Sequence, residues 1–72
     1  MSTQQSPMDN LTYDLIQTLA SKLEAIEAYE KYQKDAQSEP ECRQLFQELI
    51  QDERKHVGKL QQELTRHLGG KK

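Results

Sequence analysis

The sequence predicts an all-α protein: an antiparallel two-helix hairpin that associates into a four-helix bundle. Three observations point there. Apolar residues recur at spacings of three and four in two separate runs, one proline-marked break divides the runs, and nothing alternates with the period of a strand.

Residues 1–9 are polar, Ser/Gln-rich and carry Pro7, which predicts a disordered N-terminal arm. The hairpin then occupies residues 10–68. Asp9 or Asn10 can cap a first helix, because a short side-chain oxygen there accepts from free backbone N–H groups. Leu15, Ile16, Leu19, Leu23 and Ile26 follow helical spacing. The pattern weakens near Ala36, so the first helix spans about 10–37. In the stretch SEP, Ser38 or Glu39 is a cap, Pro40 suits the first helical turn, and Glu41 stands where a capping-box acid would. The second helix, about 40–68, carries Leu45, Phe46, Leu49, Ile50, Val57, Leu60, Leu64 and Leu68. Gly69-Gly70 reads as a left-handed stop. Residues 69–72 form a flexible tail whose Lys71 and Lys72 suit the negative end of the helix dipole. So short a loop forces the helices antiparallel.

Composition narrows the function. A net charge of −2 gives no basic stripe, which argues against nucleic acid and against an anionic membrane surface. No apolar run approaches the roughly 18 residues of a membrane span. The single Cys42 cannot close an internal disulfide, which fits a reducing compartment. The start, MSTQQSPMDN, has neither a charged n-region nor an apolar h-region, so the expected location is cytoplasmic. Two helices alone leave one side of each apolar stripe wet. The expected partner is therefore the chain itself, as a homodimer or a larger homo-oligomer.

One feature resists a purely structural account. At about 100° per residue, the second helix centres its apolar face between Phe46, Leu60 and Leu64, and Glu53 projects into the middle of it. His56 lies to one side. On the first helix the face centres on Leu19, Leu23 and Ile26, with Glu30 almost along it, Glu27 at its edge and Glu24 in solvent. Burying an unpaired carboxylate costs several kcal/mol, and three arrangements relieve that cost. Glu53 can ligate a metal together with His56, since residues at i and i+3 share a helical face. It can pair with Lys22 or Arg54 across a dimer. Or the bundle can be splayed and wet at its middle.

Other residues carry blander readings. Cys42 lies on the apolar flank as a small core residue. His67 complements the helix dipole at the surface. Tyr29 and Tyr32 flank the first helix's face, where packing is the simple reading and a redox role beside iron the sharp one.

The stretches LEAIEAYEKY and LFQELIQDERKHVGKL, separated by a proline-started helix, resemble the ferritin-like superfamily, in particular its rubrerythrin and encapsulated-ferritin branches. The resemblance covers about residues 11 to 68. It implies hairpins paired around a carboxylate-bridged centre of iron, or of manganese, with a pair of ions at each dimer interface, and with it ferroxidase-type iron oxidation or storage. Carried over by residue, Glu53 and His56 match the family's Glu-x-x-His. The family's first-helix Glu falls on Leu23 in a gapless match and on Lys22 in a match on Tyr29. Glu30 and Glu27 then stand as substitutes by helical face, one to two turns nearer the loop. The alternative is a non-catalytic, oligomerising helical-bundle module that has lost the metal site.

Overall fold

The computed structural model describes residues 9–69. Among them are two helices and no strand: α1, Asn10–Asp35, and α2, Pro40–Leu68. Of the arm expected over residues 1–9, only Asp9, the cap of α1, is among the described residues, and the tail's Gly70, Lys71 and Lys72 lie outside them. The cross-helix pairs Lys22 with Glu53, Tyr29 with Phe46 and Gln33 with Arg43 run in opposite chain directions, so the helices are antiparallel.

Local chemistry sets the boundaries. Asp9 is the N-cap of α1, with an extended backbone and a carboxylate that accepts from the Thr12 N–H at 3.1 Å. α1 stops at Asp35, slightly short of the expected end. There the Ala36 N–H reaches the carbonyls of Tyr32 and Gln33, and the Gln37 N–H turns to Lys34, tightening the last turn before the chain leaves it. Pro40 opens α2 as expected, where its missing N–H costs nothing. The capping box does not form: Glu39 holds the cap position with no side-chain hydrogen bond. The connection is tied instead by the Arg43 guanidinium, which donates to the Gln37 carbonyl, and by the Gln33 amide, which donates to Gln47 Oε1 at 2.9 Å. The left-handed stop is also absent at Gly69, whose φ is −134° and whose N–H continues the helix bond to Thr65.

The helices meet along a seam with alternating steps of three and four. On α1 it runs through Thr12, Leu15, Leu19, Lys22, Ile26, Tyr29, Gln33 and Ala36; on α2 through Phe46, Ile50, Glu53, Val57, Leu60 and Leu64. A mean period of 3.5 is that of coiled-coil packing. This corrects the predicted face of α1. The seam passes through Lys22, while Leu23, one residue round, is half exposed at 50%. Glu30 is likewise turned to the flank. Averaging directions at 3.6 residues per turn smeared the seam by nearly one position. Cys42 is exposed and not a core residue. Tyr29, Tyr32 and Phe46 cluster near the loop with ring centroids 5.8–6.3 Å apart, the packing role expected of the tyrosines.

Very little is enclosed. Ile50 at 2% and Ala36 at 8% exposure are the buried apolar side chains among the described residues. The radius of gyration is 16.2 Å, against roughly 11 Å for a compact chain of this length. The smallest extent, 13 Å, is one helix thick. No helix among the described residues is long and apolar enough to cross a membrane.

Candidate functional site

The seam places a carboxylate and an ammonium face to face. Glu53 is the α2 seam residue at mid-length, its side chain only 15% exposed, and Lys22 comes from the opposing seam position of α1. Lys22 Nζ lies 3.1 Å from Glu53 Oε1. His56, one turn further along α2, puts Nδ1 3.5 Å from the same oxygen while keeping half its side chain in solvent. The contact with Lys22 is a close ion pair, and the buried Oε1 has no better-aligned hydrogen-bond donor within the hairpin.

These neighbours determine the charge on Glu53. The Lys22 ammonium is the main influence holding its carboxyl below the ordinary carboxylate value. Burial pushes the other way, and His56 adds a smaller lowering. Glu53 is an anion at neutral pH. Of the predicted pairings the structure makes the one with Lys22, within one hairpin rather than across two. Arg54 points elsewhere, to Glu30 Oε2 at 3.5 Å, with both partners half exposed.

The predicted ligands are therefore only partly brought together. Glu53 and His56 share one oxygen's surroundings. Glu30 is on the flank with Arg54, and Glu27 and Glu24 are exposed. Among the described residues, no three His, Cys, Asp or Glu side chains converge as a metal would require. The iron implied by the resemblance does not fit the residues of this hairpin. The Lys22 ammonium lies against the carboxylate of Glu53, and only His56 stands beside it as a further donor. Thr18, Lys22, His56, Lys59 and Leu60 line an open groove on the His56 side, so the histidine faces outward.

In the sequence Lys22 stands only as one of two possible salt-bridge partners of Glu53. A three-four rhythm from Thr12 to Ala36 runs through Lys22, but an equally regular one, Ile16–Leu19–Leu23–Ile26, runs through Leu23, so only the docking of the helices decides between them. His67 is exposed in the last turn of α2, as expected of a dipole partner. Asp9, at the other end of the molecule's chain path, has its carboxyl lowered chiefly by the Thr12 hydrogen bonds and slightly by His67.

The same stretch is what the comparison with known families detects. A family model described as Rubrerythrin matches residues 10–65, which include all of α1 and most of α2 with its Glu-x-x-His. No curated protein and no solved structure matches the chain. With its antiparallel hairpin, its Glu53-x-x-His56 helix and a family match over most of its length, the chain belongs to the rubrerythrin family.

Proposed function

We propose that this chain is a self-associating ferritin-like hairpin, a non-catalytic module that pairs into a four-helix bundle as a homodimer or a larger homo-oligomer. The Lys22–Glu53 contact carries the reading: it gives the seam carboxylate a built-in counter-charge, so nothing need be bound for the fold to tolerate it. The scarcity of enclosed apolar surface supports self-association, since a second hairpin is the nearest source of apolar cover for half-wet stripes.

A second reading is favoured by one specific observation, the buried Glu53 oxygen that lacks a hydrogen bond. In it Glu53 and His56 of two hairpins, helped by Glu30 or Glu27, hold iron or manganese at the interface, for iron(II) oxidation or storage. It requires Lys22 to leave the site. Light scattering combined with elemental analysis of the purified protein separates the two. A metal-free oligomer that refuses added iron(II) upholds the module. A stoichiometric metal that disappears in Glu53→Ala and His56→Ala overturns it in favour of the metalloprotein.

A further inference from the structure

We infer that Lys22 is a built-in replacement for the metal: its ammonium occupies the cation position of the Glu53–His56 pair and keeps that two-donor half-site from binding a divalent ion. The inference rests on the module reading and deepens it.

Three features make the case. Glu53 Oε1 has nitrogen neighbours on two elements, Lys22 Nζ across the seam at 3.1 Å and His56 Nδ1 on its own helix at 3.5 Å. The oxygen is buried, and the Lys22 ammonium is what chiefly keeps it charged. Lys22, finally, is no surface lysine that happened to reach inward. It is a seam residue in strict heptad register, only 31% exposed, at a position where an apolar side chain would pack.

A divalent ion could bind Glu53 and His56 only by approaching the Lys22 ammonium, and like charges repel at so short a range. A compact ammonium on a flexible stem is suited to this role: it fills the space of an ion and donates toward carboxylate oxygen without a fixed geometry. A carboxylate at position 22 does more than remove the repulsion. It supplies a third donor opposite Glu53 and His56, in the mixed oxygen–nitrogen set that hard and borderline divalent ions accept.

The test is a cobalt(II) titration of the full chain, followed by visible absorbance and by calorimetry, with wild type, Lys22→Glu, Lys22→Gln and Lys22→Glu/Glu53→Gln compared. Cobalt(II) is used because ligand-field bands report an imidazole–carboxylate site directly. Lys22→Glu is expected to bind on the order of 100-fold more tightly than wild type, the scale on which ligand-shell changes act. The double variant is expected to lose that gain. Should Lys22→Glu prove unfolded without metal, cobalt-induced recovery of helix by circular dichroism supports the inference equally. Lys22→Gln, which removes the charge and offers only a neutral amide oxygen in place of a carboxylate, is then expected to bind more tightly than wild type by about tenfold. Wild-type binding within a few-fold of both variants overturns the inference, as does a folded Lys22→Glu protein that takes up no cobalt. Light scattering on the same samples keeps the two ideas apart. A monomeric wild type whose Lys22→Glu variant binds cobalt removes self-association and leaves the role of Lys22 standing.

Discussion

Glu53 and Lys22 have to be considered as a pair. A half-buried charge is tolerated only while its partner is present, so Glu53→Leu alone should lower the melting temperature by stranding the Lys22 ammonium in the seam. Replacing both, as Lys22→Met/Glu53→Leu, should raise stability by about 1 kcal/mol or more, because packed apolar residues often outperform an ion pair in such a position. Thermal melts of the two variants beside wild type check this. The pair also imposes a pH dependence. The folded protein holds the Glu53 carboxyl below its ordinary value of 4.5, so the unfolded chain binds the proton first. The stabilisation is therefore complete above that value and is lost as the pH falls through the lower, folded one. Melting temperatures measured from pH 7 down to pH 3 should drop more steeply for wild type than for the apolar double variant.

At the scale of the helices, α1 and α2 are unequal. α1 begins with a real cap, Asp9 on Thr12, whereas α2 begins with only the backbone preference of Pro40. α2 also carries Gly58 in its interior, where a Cβ would meet nothing within 4 Å. Glycine there gives up helix propensity with no packing return. Gly58→Ala should stabilise the protein by about 1 kcal/mol, seen as a rise in melting temperature with unchanged oligomeric mass. A loss of stability on that substitution would show that a neighbouring copy packs closely against this point of α2.

For the whole molecule the decisive property is how little a single hairpin encloses. Leu11, Leu23, Leu45 and Leu68 are each half exposed or more, and Tyr13 and Tyr32 nearly so or equally. A folded state that depends on a second copy is stabilised by mass action, so its melting temperature should rise with protein concentration. Dilution should lower it, and sedimentation should show smaller species before helix is lost or together with that loss. A melting temperature independent of concentration would identify the hairpin as self-sufficient.

The amphipathic periods, Pro40 and the near-continuous helix propensity were enough to establish two helices, their order and their antiparallel pairing, because these depend on neighbours within a few residues along the chain. Glu53 and His56 were legible as a shared patch for the same reason: residues three apart on one helix meet regardless of what lies opposite. What lies opposite depended on the rotation of α1 about its own axis. A shift of a single residue exchanges Leu23 for Lys22, and so exchanges an apolar wall for an ammonium. That rotation is set by the mutual packing of Leu15, Leu19, Ile26 and Tyr29 against α2, an interaction between segments remote in sequence. The same packing carried Glu30 to the flank and gave it to Arg54. Which side chains could meet on one helix was thus a local matter, while the charge that Glu53 faces across the seam was determined by how the two helices dock.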